Sequence, residues 1–212
     1  MYIPTWFKEE RLQVLQSAIN EISFGTLITN GKTGLMASHV PMLLDKSRGK
    51  FGVLFGHVAR GNSQWRDTFP HSEALATFVG SNAYITPNWY QTKRETGKVV
   101  PTWNYINVQV RGEIKFLDSH DDLLKIVTNL TNYHEAYSQK PWKVSDAPSE
   151  YIDDELQSII GFEITATAIE GKWKLSQNRS SEDRKGVIKG LKERGKRMDE
   201  PLADEMEDRF SS

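Results

Sequence analysis

The stretch that decides the fold is Phe51-Gly-Val-Leu-Phe-Gly-His-Val-Ala-Arg-Gly-Asn-Ser-Gln-Trp-Arg66. It begins with an apolar run that predicts a β-strand over 51–55, passes through a glycine-bearing turn, and continues as a helix start at Ser63. Free N–H groups at a helix start, the helix dipole and a nearby guanidinium together favour a phosphate. A strand-to-helix turn that binds nothing, with Ser63 or Asn62 as the N-cap, fits the same residues equally well.

Short apolar segments on both sides of this stretch predict further strands. Residues 24–29 and 35–44 are separated by Asn30-Gly31, a pair typical of a hairpin turn. Later strands are predicted at 74–79, resuming at 83–86 after an interruption at 80–82, at 105–110, and at 162–168. Residues 112–117 either complete the strand at 105–110 or turn into its neighbour. Strands joined by tight turns pair antiparallel, so the chain is predicted to be α+β, built on an antiparallel barrel of six or seven strands with peripheral helices.

Helical patterns occur at the start, in the middle and late in the chain. Apolar spacing predicts helices over 8–22 and 120–136 and from Pro148 to Ile160, whereas 87–99 reads as a polar, lid-like loop. From Ser180 the character changes: 184–197 holds seven basic residues and one acidic, and 199–208 holds six acidic and none basic. We therefore divide the chain into a barrel domain, 1–179, and a charged, helical tail, 180–212, whose acidic block either folds back on the basic one or stays loose.

Composition excludes several classes of function. The chain has 212 residues, a net charge of -1 and no cysteine, which argues against a global basic field for nucleic acid and excludes disulfides and thiolate metal sites. No apolar run is long enough for a signal peptide or a membrane span, so we expect a cytoplasmic protein without a membrane partner. No phosphate-binding glycine loop, dinucleotide fingerprint or nucleophile elbow is present.

The side chains that could carry chemistry are few. His39 and His57 are the one credible histidine pair for a metal or for acid–base work, and a hydrogen-bonded structural role is the alternative; we expect no metal site. Trp103 flanks a polar loop, where an indole packs on a partner subunit or a flat ligand. The run from Lys172 to Arg179 adds cations and amides that either hold a phosphate and ring edges or form a solvated strand end.

Four segments of the chain resemble the PaiB family, described as FMN-binding negative transcriptional regulators of the split-barrel type. They are Ala-Ser-His-Val-Pro (37–41), Gly-His-Val-Ala-Arg-Gly-Asn-Ser-Gln-Trp (56–65), Gly-Lys-Val-Val-Pro-Thr-Trp-Asn-Tyr (97–105) and Glu-Gly-Lys-Trp-Lys-Leu-Ser-Gln-Asn-Arg (170–179). The resemblance runs from residue 1 to about 191 and leaves the acidic end outside.

The resemblance implies a homodimer with FMN at the subunit interface. By that analogy Arg60 and Asn62 hold the phosphate with help from Gln64, which agrees with the reading of the turn from its residues. The remaining site residues rest on the resemblance alone. The ring would be lined by the backbone near Ala37, Ser38 and Val58, with His39, His57 and Ala59 beside it, and closed by Trp103 and Asn104, or by Lys174 and Gln177 of the partner subunit.

Three functions follow as hypotheses. The first is a dimeric FMN-binding repressor of the kind linked to sporulation and secreted-protease genes; the block 184–197 is its only basic face, and no helix-turn-helix signature supports DNA contact. The second is a flavin-dependent oxidoreductase, a reductase or oxidase in which the flavin supplies the chemistry. The third is an FMN-binding or small-ligand-binding protein without turnover.

Overall fold

The computed structural model describes residues 1–210, which form seven strands and seven α-helices. The strands are β1 (Lys8–Glu9), β2 (Phe24–Gly31), β3 (Gly34–Asp45), β4 (Val53–Ala59), β5 (Glu73–Ile85), β6 (Thr102–Leu117) and β7 (Ile159–Lys174). The helices are α1 (Leu12–Ile22), α2 (Gln64–Asp67), α3 (Gln91–Thr96), α4 (His120–Glu135), α5 (Ser149–Gln157), α6 (Ser181–Arg194) and α7 (Asp199–Phe210). Single 3-10 turns lie at Thr5–Phe7, Pro87–Trp89 and Val144–Asp146.

The strands form one sheet in the order β1-β7-β4-β3-β2-β5-β6, and β6 also pairs with β7. That second pairing closes strands β2 to β7 into a barrel and leaves β1 on its edge. The pairs β1–β7, β4–β7, β3–β4, β2–β3 and β2–β5 all run antiparallel. The predicted class, α+β on an antiparallel split barrel with peripheral helices, is confirmed.

Contacts along the chain separate two compact units. The barrel unit comprises Leu12–Phe78 and Gln109–Ile169, and the second unit comprises Met1–Arg11, Val79–Val108 and Glu170–Ser212. Strands β5, β6 and β7 contribute residues to both. This grouping differs from the sequence-based division at residue 179, because α6 and α7 belong to a unit that also includes parts of three strands.

The barrel unit is built from strands whose alternate residues point inward. Strand side chains with no solvent exposure come from every long strand of the unit, and they are Leu27, Met42, Leu54, Ala76, Phe78, Val110, Phe162 and Ile164. This alternation follows from the two-residue period of a strand. Helix α4 covers one face, where Ile126 and Leu130 pack with Leu43 and Phe55.

Two expectations about the meander are corrected by tertiary hydrogen bonds. Strand β4 continues to Ala59 instead of ending at Phe55, because β7 pairs with it along 159–165. The hairpin between β2 and β3 turns at Lys32 and Thr33, not at Asn30-Gly31. Asp67 fixes that turn: its carboxylate accepts hydrogen bonds from the Thr33 N–H and hydroxyl at 3.0 and 2.6 Å.

Helix limits also differ from the sequence pattern. Helix α1 begins at Leu12, since Lys8 and Glu9 pair with β7 as β1. Helix α5 ends at Gln157, and the isoleucines at 159 and 160 that extended its apolar pattern instead begin β7. Strand β5 runs unbroken through 80–82. The predicted loop 87–99 contains a 3-10 turn and α3, so that expectation was largely wrong.

Within the second unit, the tail forms two helices that pack on each other. The acidic block folds back on the basic one: Lys192 pairs with Glu207 at 2.8 Å and Arg194 with Asp199 at 2.6 Å. Trp89 fits against α6 where Gly190 leaves room, since a Cβ there would lie 2.3 Å from the indole. The alternative of a loose acidic block is thereby excluded for residues 199–210.

A buried carboxylate ties the start of the chain to α7. Glu9 is 4% exposed and accepts hydrogen bonds from the Arg11 backbone and guanidinium at 2.7–2.9 Å and from Arg209 at 2.7 Å. These charged donors, the Arg11 side chain first, outweigh desolvation and lower the pKa of Glu9 from 4.5 to about 2.

Among residues 1–210, no helix has the length and apolar character needed to cross a membrane.

We expect Glu9→Gln to lower the free energy of unfolding at pH 7 by about 2–3 kcal/mol, as the depressed pKa implies. A carboxylate with a lowered folded-state pKa stabilises above its ordinary pKa and loses that contribution as the pH falls toward about 2. Urea unfolding between pH 7 and 2 measures both effects. Glu10→Gln, at the exposed neighbour, is the matched control and should change little; equal effects of the two variants would contradict the prediction.

Candidate functional site

The turn after β4 places Arg60 in a set of contacts within the barrel unit. Its guanidinium donates to both carboxylate oxygens of Asp118, at 2.5 and 3.0 Å, and to the carbonyls of Gln157 and Ile159, at 2.5 and 3.1 Å. The Asp118 hydrogen bond raises the pKa of Arg60, and the Arg60 hydrogen bond lowers that of Asp118. The charge that was predicted to meet a phosphate is therefore already paired.

Backbone donors of the same turn are also engaged. The N–H of Arg60 donates to Ser158 O at 2.8 Å, that of Asn62 to Ala59 O at 2.9 Å, and that of Gln64 to Asn62 Oδ1 at 2.9 Å. Helix α2 is only four residues long, so its dipole is small. A phosphate contact by Arg60 stays a prediction, and it would require Asp118 to give way.

The structure brings Asn62 and Ser38 together. The Asn62 amide donates to Ser38 Oγ at 2.8 Å while its oxygen caps the start of α2. Gln64 is different: it has no solvent exposure, and its amide donates to Thr29 Oγ1 at 3.1 Å and Leu27 O at 3.3 Å. As placed, the Gln64 amide holds the turn against β2, its carbonyl oxygen has no partner among the described residues, and its contact with a ligand stays a prediction.

The other predicted ring-lining residues of the barrel unit lie in the first half of β3 and the second half of β4. Ala37 and Ala59 are exposed, and Val58 is buried. His39 Nδ1 lies 2.9 Å from Thr26 Oγ1 on β2, whereas His57 pairs with Gly161 on β7. The two histidines are thus tied to different neighbours, and burial lowers the pKa of His57.

Two predicted residues of the second unit lie next to each other at the start of β6. Trp103 is 49% exposed, donates to Asn82 Oδ1 at 3.3 Å, and meets Tyr84 edge-on with ring centroids 6.2 Å apart. Asn104 is fully buried; its amide nitrogen donates to Ser176 Oγ at 2.9 Å. Its carbonyl oxygen has no hydrogen-bond partner among the described residues, which is costly unless a ligand or water supplies a donor.

The end of β7 carries the last two predicted residues. Lys174 is half-buried and donates to Thr102 Oγ1 at 2.5 Å. Gln177 folds back on the turn that follows, where its oxygen accepts from Leu175 N at 2.8 Å and its amide donates to Trp173 O at 2.5 Å. Within residues 1–210, no group of three His, Asp or Glu side chains is arranged to hold a metal ion.

Sequence comparison assigns the chain to a family. Residues 1–168 match the family model described as "Putative FMN-binding domain". The chain is also 32% identical over 210 residues to "Protease synthase and sporulation protein PAI 2" of Bacillus subtilis, covering 99% of this chain and 98% of that protein. It belongs to the PaiB family. A protein of Emericella nidulans described as uncharacterized is 36% identical over 230 aligned positions, covering 92% of each chain.

Solved structures share the fold of this PaiB-family chain at low identity. The flavocytochrome Anf3 from Azotobacter vinelandii matches with a TM-score of 0.61 and 7% identity, covering 84% of this chain and 74% of that one. The FAD and heme binding protein from Mycobacterium smegmatis matches with a TM-score of 0.58 and 10% identity, covering 83% and 78%. At such identities the likeness establishes the split-barrel fold alone.

Sequence reasoning missed the partners of the predicted site residues. Asp118 neutralises Arg60 from far along the chain, and Ser176 anchors Asn104 from the turn after β7. Asp183 is buried and accepts from the Thr92 N–H and hydroxyl, at 2.9 and 2.8 Å, and so holds the loop that was expected to act as a lid. No local sequence signal could have identified these long-range pairs.

We expect Gln64→Ala to lower the free energy of unfolding by about 2–4 kcal/mol, because it leaves a cavity and unpairs buried carbonyl and hydroxyl groups. Thermal and urea unfolding measure the change. Ser63→Ala, at the exposed neighbouring position, is the control and should unfold as the wild type does. A Gln64→Ala protein of normal stability would contradict the structural role and restore a direct ligand contact as the better interpretation.

Proposed function

We propose that this chain is a flavin-binding protein whose ligand is FMN. Membership of the PaiB family supports the proposal, as does the name of the matching family. The observation that carries it is the short segment 102–104 of the second unit. There, an exposed indole, a buried amide carbonyl without a partner and the hydroxyl partner of a half-buried lysine follow one another in sequence.

Thr102 and Asn104 lie on one face of β6 and Trp103 lies on the other, so the segment presents different groups to a ligand on its two faces. Indole and phenol rings, as in Trp103 and Tyr84, offer flat apolar surface to an isoalloxazine ring. Lys174, half-buried beside Thr102, offers a cation to phosphate. When bound, the flavin supplies electron-transfer chemistry, and the residues of this chain bind it, orient it and limit its access to water.

We also propose that the chain acts as a homodimer. In the second unit several large apolar side chains are more than two-fifths exposed, namely Val79, Tyr84, Val100 and Trp103. Exposed groups of this size are typical of a surface that another protein covers. A second copy is the partner that the PaiB resemblance implies, and it would shield the aromatic surface proposed for the flavin.

The biological role that we propose is negative regulation of the PaiB type, without direct DNA contact through α6. The relative in Bacillus subtilis is named for protease synthesis and sporulation, which supports a regulatory role. However, Lys192 and Arg194 of the basic block are paired with Glu207 and Asp199, and Lys189 lies 3.7 Å from Glu193. Paired cations release few counterions on meeting DNA, so these three residues contribute little to the driving force for binding.

A flavin-dependent oxidoreductase is the second candidate, and His57 favours it. Burial lowers the pKa of this half-buried imidazole, so at neutral pH it is uncharged and able to accept a proton. His57 lies beside Val58, one of the residues that the PaiB resemblance places near the ring. Turnover of a nicotinamide nucleotide by the flavin-loaded protein, lost in His57→Ala, would establish this candidate over binding alone.

We expect FMN to bind the purified protein saturably, with a change in flavin fluorescence, and light scattering to give the mass of a dimer. Trp103→Leu should weaken FMN binding by about tenfold, since loss of an aromatic contact costs on the order of 1.4 kcal/mol. Trp142→Leu, which removes an exposed tryptophan of the barrel unit, is the matched control. No saturable binding by the wild type would refute the proposed function.

For DNA, we expect no specific, salt-dependent binding through α6. Fluorescence anisotropy with promoter fragments at low salt measures it, with wild type compared against Lys185→Gln/Lys189→Gln. The two proteins should behave alike, because the basic helix already faces an acidic one. Tight binding by the wild type that weakens in the double variant and at higher salt would show direct DNA contact instead.

A further inference from the structure

Three cations gather at the end of β7 and in the turn that follows. Lys172 and Lys174 are two residues apart on a strand, so their side chains leave the same face. Lys172 is 9% exposed and lies 5.2 Å from the Tyr105 ring centroid. Arg179 lies 4.8 Å from the ring centroid of Tyr90. Aromatic rings therefore support two of the three charges.

None of these three cations has a carboxylate partner within residues 1–210. Lys172 reaches only the carbonyl of Tyr2, at 3.4 Å, and Lys174 only a hydroxyl. Four other arginines with restricted exposure are paired with carboxylates, namely Arg48, Arg60, Arg194 and Arg209, whereas Arg184 donates to Arg179 O and lies 4.2 Å from the Phe210 ring centroid. The end of β7 is thus a place where the fold gathers positive charge without neutralising it.

Electrostatics agrees with that geometry. Burial, then the charge of Lys172 and then that of Arg179, lower the pKa of Lys174. A cation that is both desolvated and repelled by two others destabilises the fold, and an anion would relieve both penalties. Such an arrangement does not stabilise the fold, and it is typical of a binding site.

The turn itself is rigid and strained. Ser176 is buried and adopts a left-handed conformation, with φ of 66°, that side-chain-bearing residues rarely take. Arg179 N donates to Ser176 O at 2.9 Å, and Gln177 caps Leu175 N. Strain of this kind is kept where the surrounding structure enforces it, commonly at ligand sites. Arg179 follows this turn and lies near enough for its charge to lower the pKa of Lys174.

We propose that Lys172, Lys174 and Arg179 form a binding site for the dianion of a phosphate monoester. Resting on the proposed function, this assigns the phosphate of FMN to the end of β7 and not to the turn at Arg60. The Arg60–Asp118 pair has little net charge to attract an anion. Three cations without carboxylate partners, in contrast, carry enough positive charge to balance both negative charges of a dianion. Charge-assisted contacts from all three would give the phosphate most of its affinity.

The test compares FMN with riboflavin, which lacks the phosphate, on wild type and on Lys172→Gln, Lys174→Gln and Arg179→Gln. Each variant should lose about tenfold or more in FMN affinity, with riboflavin affinity unchanged, because one charge-assisted contact is removed. Lys98→Gln, at an exposed lysine of the same unit, and Arg60→Gln should keep the wild-type preference. Removing one of three repelling charges should leave the melting temperature in phosphate-free buffer equal or higher, so a folding failure would not explain the loss.

A second measurement separates this assignment from the proposed function. Inorganic phosphate should raise the melting temperature of the wild type more than chloride does at equal ionic strength, and Lys174→Gln should abolish that difference. If the wild type binds no flavin but shows this shift, the proposed function fails and the site stands for another phosphate monoester. If the wild type prefers FMN and the three variants keep that preference, or if it shows neither a preference for FMN nor a phosphate shift, the assignment is overturned.

Discussion

The pairing of β4 with β7 is the constraint on which the barrel unit depends. It joins Val53 to Thr165 at one end and Ala59 to Ile159 at the other, and so carries β4 beyond the apolar run that defines it in the sequence. The same register presents the carbonyls of residues 157–159 to Arg60, which they hold together with Asp118. In the turn that Arg60 begins, Asn62 donates a hydrogen bond to Ser38, and Gln64 donates one to Thr29 of β2.

The sequence predicted those parts of the fold that local pattern determines. Runs and alternation of apolar residues predicted six of the seven strands. Helix-capping residues and apolar residues at helical spacing predicted α4 and a first helix close to α1. It failed where a distant group decides. The hairpin turns at Lys32 because Asp67 holds Thr33, and Glu9 leaves the helical pattern because two arginines and β7 pair with its segment. In each case tertiary hydrogen bonds overrode the local helix or turn propensity of the sequence.

For the candidate site, the sequence identified candidate residues, and their roles toward a ligand stay predictions. It identified Arg60 as a phosphate ligand because a guanidinium in a turn attracts anions, but Asp118, 58 positions later, consumes that charge. It left the cations near Lys174 open between a ligand site and a solvated strand end. Burial favours the first interpretation, because a solvated strand end would not hide Lys172 against Tyr105.

Within the second unit, the tail and the end of β7 differ in how their cations are paired, and this difference bears on function. In the tail, three cations meet carboxylates: Arg194 pairs with Asp199, Lys192 with Glu207, and Arg209 with Glu9. The chain as a whole carries nearly balanced charge, with 28 acidic residues against 27 basic. Lys172, Lys174 and Arg179 have no carboxylate partner among the described residues, so the end of β7 keeps its positive charge. A bound dianion is the simplest group that would make this segment as well paired as its surroundings.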